Sequence, residues 1–255
     1  MNIRGILFFI GVYSLLVGIF SVLNILYSIY LNFDLDINSY IITSIVSFAF
    51  GSIFCFVGRS STKNVSLFQQ VVLIFIGYIL IPILISLPFF LSINNFSFLD
   101  SYFESVSGFT ATGFSIIDDI ENINEPLILW RSSSQWLGGL FFLIAIIGTL
   151  GVKRLKIKLN YLVPDANLGG NFYNNFNSNF IKIFLIYFFT TLFIIFLYKL
   201  ANIRFYDSFN LAFTVVSSGG FLSKNYLSEI ANNNLQVLTL SITLLIPVLN
   251  FYLFF

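Results

Sequence analysis

Six long apolar runs constrain this chain more than any other feature of its sequence. Each is about as long as the 20 apolar residues that a helix needs to cross the hydrocarbon core of a bilayer. Only 9% of the residues are charged, against about 25% in a typical soluble domain. The sequence therefore predicts an all-α integral membrane protein, with helices at 5–31, 39–58, 67–91, 127–150, 179–201 and 235–255.

The composition argues against enzyme chemistry. The sequence has no His, one Cys and one Met, so it cannot form a His-based catalytic triad, a typical zinc site or an internal disulfide. The apolar runs also lack a cluster of acidic residues beside a nucleophile. We expect a protein that is not an enzyme and holds no organic cofactor.

The basic residues predict an orientation, because Lys and Arg accumulate in cytoplasmic loops. A cytoplasmic N-terminus places eight of the twelve inside: Arg4, Arg59, Lys63, Lys153, Arg154, Lys156, Lys158 and Lys182. All acidic residues except Asp165 then lie on the outer side. Such an outer surface is either an ordinary solvated face or a means of concentrating cations at a pore mouth.

An internal repeat aligns without a gap. Its copies are DSYFESVSGFTATGFSIIDD, which begins at Asp100, and DSFNLAFTVVSSGGFLSKNY, which begins at Asp207. Both open with Asp-Ser and both carry Gly-Phe, at 113–114 and at 220–221. Each copy follows one apolar run and precedes another. The repeating unit is therefore a helix, a short apolar segment, a Gly/Ser/Thr turn and a second helix.

The short apolar segments, 100–109 and 207–216, cannot cross a bilayer. We expect them to be half helices that enter the membrane from outside and return, as in re-entrant pore loops. Ser101 and Glu104 have the spacing of a capping box, and Asp100 and Asp207 suit the positive end of a helix. The other end of each half helix would carry partial negative charge near the bilayer centre, which favours a cation.

The stretches after the half helices, 110–114 and 217–221, are then extended backbone at membrane depth. Such backbone is tolerated only where it is buried in protein or lines a water-filled path. Carbonyl oxygens replace the water shell of the ion in potassium filters, although each stretch alone could be an ordinary polar turn. The predicted ligands are the backbone carbonyls of Thr110, Ala111, Thr112, Gly113, Ser217, Ser218, Gly219 and Gly220, and Phe114 and Phe221 end the two strands.

Four segments together resemble the Trk/Ktr/HKT superfamily of potassium transporters, most closely its bacterial TrkH/TrkG-type membrane subunits. They are SLPFFLS (86–92), FLDSYFESVSGFTATGFS (98–115), WRSSSQWLGGL (130–140) and AFTVVSSGGF (212–221). The resemblance implies the N-terminal half of a pseudo-fourfold, potassium-channel-like pore. Its parts would be two leading helices in 1–63, a first pore unit in 64–155, a cytoplasmic link in 156–178 and a second pore unit in 179–255.

The resemblance implies potassium uptake across the bacterial plasma membrane, with 110–114 and 217–221 as filter strands. Gly113 and Gly220 match the filter glycine associated with selectivity for potassium over sodium. Ala111 and Ser218 stand where the bacterial pattern usually has Thr. The resemblance also implies a cytoplasmic nucleotide-binding regulatory subunit of the TrkA type as a partner, and no nucleic acid.

Two groups of residues each have two interpretations, and a third has one. Trp130 and Arg131 are either an interfacial anchor or an ion contact. The glycine pair 138–139 is expected to allow close helix packing behind the filter. The basic residues of 153–158 either mark the cytoplasmic side or meet a partner.

Two pore units leave an ion under-coordinated and backbone facing lipid. Three explanations stay open: a truncated record of a longer transporter, a half that pairs with a separately encoded half, and a homodimer that supplies four units. The alternative function is a non-conducting assembly or regulatory fragment that binds partner helices.

Overall fold

The computed structural model describes residues 3–30, 34–59, 67–150 and 172–249, whose regular secondary structure is helical with no β-strand. The described helices are α1 (Ile3–Tyr30), α2 (Asp34–Gly58), α3 (Leu67–Ser92), α4 (Phe98–Phe109), α5 (Glu125–Leu150), α6 (Phe172–Leu200), α7 (Phe205–Val216) and α8 (Asn234–Leu249). The basic cluster at 153–158, most of the predicted link 156–178 and the end of the last predicted span lie outside the described residues.

Four described helices, α1, α2, α3 and α6, are long and apolar enough to cross a membrane. The predicted all-helical, multi-span architecture is therefore confirmed. Helices α4 and α7 have 12 residues each, which is about 18 Å of helix against a hydrocarbon core of about 30 Å. Neither is long enough to span.

Helix α5 lies at the centre of the described fold. It packs against α1, α3, α4, α6 and α7. Its segment Arg131–Ser132–Ser133–Ser134–Gln135 is buried throughout. A buried polar run needs partners within the protein, so this helix faces other helices where a simple membrane span would face lipid.

The leading pair α1 and α2 joins this centre through aromatic contacts. The rings of Tyr13 and Phe141 meet edge to face with centroids 4.7 Å apart. Phe20 packs against Trp136 at 5.3 Å. Aromatic pairs in this distance range contribute beyond the area they bury, so these contacts help to hold α1 against α5.

Candidate functional site

The two copies of the sequence repeat adopt the same turn. Two residues after the end of each half helix the backbone is left-handed, at Ala111 with φ 55° and at Ser218 with φ 58°. The Thr112 amide donates to the Ser107 carbonyl at 3.0 Å, and at the equivalent position the Gly219 amide donates to the Thr214 carbonyl at 2.8 Å. The gap-free alignment of the two copies therefore pairs residues with the same local geometry.

The predicted ligand stretches, 110–114 and 217–221, contain these turns. Thr110, Thr112, Phe114, Ser218 and Gly220 are exposed, whereas Ser217 and Phe221 are buried. A cavity of about 400 Å³ lies at the C-terminal ends of both half helices, and its lining includes Tyr78, Thr110, Ala111, Ser217, Ser218 and Pro247. Within the described part of the chain, no group of three or more His, Cys, Asp or Glu side chains could hold a metal ion. Any cation at this cavity would meet backbone and hydroxyl oxygens.

The two glycines of the repeat differ in their surroundings. Gly113 has φ +81°, and a Cβ built on it would lie 2.9 Å from both the nitrogen and the Cα of Gly220. Gly220 has no positive φ, and a Cβ on it would lie in ordinary van der Waals contact with the Gly113 Cα, at 3.7 Å. The two stretches therefore approach each other at these glycines, and only Gly113 is confined to glycine by its backbone angle.

The capping box of α4 lies one turn before the predicted one. The Ser97 hydroxyl accepts from the Asp100 amide at 3.2 Å, and Asp100 accepts from the Ser97 amide at 3.0 Å. The assignment of this role to Ser101 and Glu104 was wrong, because the helix begins at Phe98 and places both residues inside it. The hydrogen bonds from Ser97 hold the pKa of Asp100 below its ordinary value.

Glu104 instead holds the chain that leaves the first turn. Its carboxylate is completely buried and accepts from the Ser115 hydroxyl at 3.0 and 3.1 Å and from the Ile116 amide at 3.3 Å. Arg131 is the remaining partner of this carboxylate, with its Nε 2.8 Å from a Glu104 oxygen. Sequence reasoning assigned Glu104 to the right helix but to the wrong task.

The second copy also uses a carboxylate, at a different position of the repeat. Asp207 lies in the first turn of α7 and accepts from the Ser223 hydroxyl at 2.7 Å. Arg204 pairs with the same carboxylate at 2.9 Å and is 55% exposed. Asp207 thus lies at the predicted helix start, and it additionally fastens the chain that follows the turn.

Trp130 and Arg131 are buried, each only 1% exposed. The interfacial-anchor interpretation is wrong for both, because an anchor must reach the membrane surface. The Trp130 indole donates to the Ile85 carbonyl at 2.9 Å, which ties α5 to α3. Their burial also removes them from any exposed surface where an ion could be met directly.

The close packing expected at the glycine pair 138–139 is present, whereas the contact between Gln135 and the second stretch was not predicted. The Gln135 side-chain oxygen accepts from the Phe221 amide at 3.3 Å. A Cβ on Gly138 would lie 1.8 Å from the Phe109 carbonyl oxygen, and one on Gly139 would lie 2.8 Å from the Ser217 Cβ. A pattern in the sequence could have revealed this face of α5. Arg131, Gln135 and the glycine pair follow one another at intervals of about one helical turn, which places them on the same side of the helix.

Polar contacts also join the two loops that follow the turns, one through residues 119–121 and the other through residues 224–225. Lys224 pairs with Glu121 at 2.8 Å. The Asn225 side chain accepts from the Ile120 amide at 2.9 Å and donates to Asp119 at 2.8 Å. We call these contacts the outer latch. It links the segment after the first turn to the segment after the second.

The outer latch has a testable pH dependence. The hydrogen bond from Lys224 lowers the pKa of Glu121 from its ordinary value of 4.5, and the same contact raises the pKa of Lys224. A carboxyl group whose pKa is lower in the folded than in the unfolded protein stabilises the fold at pH values above its ordinary pKa. This stabilisation is lost as the pH falls through the lowered pKa of the folded protein. We expect the difference in thermal midpoint between the protein and Glu121→Gln to be small at neutral pH, since exposed pairs contribute little. The difference should shrink as the pH falls below the ordinary pKa and vanish below the lowered pKa of Glu121; a difference that survives there contradicts the assignment.

No family model matches the chain. It is 30% identical over 235 residues to an uncharacterized cation transporter of Methanocaldococcus jannaschii, a match that covers 88% of this chain and 46% of the relative. It is 24% identical over 220 residues to the Trk system potassium uptake protein TrkG of Escherichia coli, with 85% and 45% of the two chains covered. The chain thus spans about half the length of these relatives.

A solved structure has the same fold. The crystal structure of the potassium transporter TrkH from Vibrio parahaemolyticus superposes with a TM-score of 0.77 at 20% identity, over 96% of this chain and 49% of that one. Sequence and fold therefore agree, and the chain belongs to the Trk superfamily of membrane subunits.

Proposed function

We propose that the protein forms part of a potassium uptake pathway, in which the backbone carbonyls of 110–113 and 217–220 replace the water shell of the ion. The observation that carries this proposal is the equivalence of the two turns at Ala111 and Ser218 beside one cavity. Similarity to a potassium uptake protein and to the fold of a potassium transporter supports it.

The arrangement suits a cation for two physical reasons. The C-terminal ends of α4 and α7 both border the cavity, and a helix C-terminus carries about half a negative charge. Removing an ion from water without replacement costs on the order of 20 kcal/mol in idealised Born terms. Many close oxygens are therefore needed, and small residues at the turns let the backbone supply them.

Two strands provide only part of such a coordination shell. In this proposal two further units complete it, either from a C-terminal half of the same protein or from a second copy of the chain in a homodimer. The half helices α4 and α7 are then re-entrant, with their first turns outside. The alternative, a non-conducting assembly fragment, needs the same helices but no ion path.

The proposed orientation places the N-terminus in the cytoplasm of a bacterial plasma membrane, as the distribution of Lys and Arg favours. The acidic loops of the outer latch then lie at the entrance, where they would concentrate cations. The membrane potential drives entry with about 2.3 kcal/mol per charge for every 100 mV. A nucleotide-binding regulatory subunit of the TrkA type is the proposed cytoplasmic partner.

Potassium uptake in a host without its own uptake systems tests this function. The chain is expressed alone and, in parallel, together with any coding sequence that continues it. We expect potassium uptake well above that of the empty host in at least one form, with sodium poorly transported. Uptake by the chain alone would support the homodimer. Correctly inserted protein without uptake in either form would favour the non-conducting alternative.

A further inference from the structure

We infer that the buried Arg131–Glu104 pair is a positioning element that fixes the two ligand stretches relative to each other. Its consequence for ion selectivity rests on the proposed function, while its geometric part does not. The pair stands out because both side chains are almost completely shielded, 1% and 0% exposed. Buried charges are retained only where they are paired and hydrogen-bonded.

Glu104 and Arg131 together bind the residues that directly follow the first stretch, Ser115 and Ile116. The Ser115 hydroxyl lies between them, since it donates to the Glu104 carboxylate at 3.0 Å and accepts from Arg131 Nη2 at 3.1 Å. The Ile116 amide adds a further bond to the carboxylate at 3.3 Å. The chain directly after Gly113 and Phe114 is therefore held from α4 and from α5 at the same time.

Arg131 also reaches the second stretch. Its Nη1 donates to the Leu222 carbonyl at 3.5 Å, and its guanidinium carbon lies 4.1 Å from the centroid of the Phe221 ring. Ser115 and Leu222 occupy equivalent positions of the repeat, as do Phe114 and Phe221. One planar guanidinium thus contacts the same point of both copies.

The second copy has no such bridging device of its own. Its carboxylate, Asp207, pairs with Arg204, the residue directly before the same half helix. Asp207 of that pair accepts a hydrogen bond from Ser223, and the hydrogen bonds between Arg204, Asp207 and Ser223 stay within the second unit. The bridging function therefore belongs to Arg131, and Arg204 provides a matched arginine–carboxylate pair without it.

Lysine cannot reproduce this geometry. A guanidinium offers donors in a fixed planar fork and stacks on an aromatic ring, whereas an ammonium is a compact point charge. Arg131→Lys keeps the charge opposite Glu104 but loses the simultaneous contacts with Ser115, Leu222 and Phe221. Arg204→Lys makes the same chemical change in the pair that does not bridge.

Two measurements test the inference on the protein in its transport-competent form. The first is the ratio of potassium to sodium uptake. We expect Arg131→Lys to lower it by roughly tenfold, the order of one lost charge-assisted hydrogen bond, and Arg204→Lys to change it little. Should Arg131→Lys fail to accumulate, the double variant Arg131→Gln, Glu104→Gln removes both charges together and takes its place.

The second measurement does not depend on transport. Spin labels on Ile116→Cys and Lys224→Cys, with Cys55→Ser as background, report the distance between the segments that follow the two stretches. The label at 224 also removes the Lys224–Glu121 contact and so weakens the outer latch. The Asn225 contacts of the latch are the same in every variant compared. We expect a narrow distance distribution that broadens with Arg131→Lys and stays narrow with Arg204→Lys.

The outcomes separate the two proposals. A host that gains no potassium uptake from the unchanged protein contradicts the proposed function, and the label distances still decide the geometric inference. A distribution that Arg131→Lys leaves unchanged overturns the inference. An unchanged potassium-to-sodium ratio in a well-folded Arg131→Lys protein overturns its consequence for selectivity.

Discussion

Gly113→Ala is expected to abolish most of the discrimination between potassium and sodium, whereas Gly220→Ala is expected to preserve most of it. Gly113 has φ +81°, and left-handed backbone costs residues with a Cβ about 1–2 kcal/mol. The new methyl group would also lie 2.9 Å from the backbone nitrogen of Gly220. Backbone atoms cannot rotate away as a side chain does, so one of the two stretches must shift.

Gly220→Ala is the matched control for this change. It adds the same methyl group to the equivalent position of the second copy, where the Gly113 Cα would be 3.7 Å away and φ is not positive. Competition between potassium and sodium uptake in the same host measures both variants. We expect the ratio to fall about tenfold or more for Gly113→Ala, since a strain of this size corresponds to that factor. Equal losses in the two variants would refute the asymmetry.

Much of this site follows from the sequence because its determinants are local. Half-helix length, small residues at the turns and the repeat itself depend on residues close together in the chain. The alignment of Ala111 with Ser218 therefore anticipates an equivalence that the backbone angles display. Local patterns can still be shifted by one turn, as with Ser97 and Asp100, because S-x-x-[D/E] occurs twice in succession there.

The long-range parts of the site were not predictable in this way. The rule that places Trp and Arg at the membrane surface assumes a helix that faces lipid, but α5 is enclosed by other helices. Nothing in the spacing of Glu104 and Arg131 shows that they meet, since 27 residues separate them in the chain. The run of buried Ser and Gln residues beside Arg131 was the available indication that this helix is internal.

The second large effect is expected at Gly138, where α5 crosses the end of α4. A Cβ at this position would lie 1.8 Å from the Phe109 carbonyl oxygen and 2.5 Å from its carbon. Overpacking in a filled core typically costs about 1–3 kcal/mol, and contact with a fixed carbonyl belongs at or above the top of that range. We expect Gly138→Ala to lower the thermal midpoint in detergent strongly.

Gly77→Ala is the control for Gly138→Ala. Both glycines lie inside helices, and alanine favours the helix by about 1 kcal/mol at each position, so a difference between the two variants reports packing and not helix propensity. The methyl group at Gly77 would meet the Phe141 ring tip at 2.4 Å, and a ring can turn aside where a carbonyl cannot. Fluorescence of Trp130 and Trp136, the two tryptophans of the chain, reports unfolding from α5 itself. A Gly138→Ala protein as stable as Gly77→Ala would mean that α4 can move away from α5. In that case the close crossing of α4 and α5 would not hold the turn at Thr110 and Ala111, and the link between these helices near the turn would rest on the Arg131–Glu104 pair.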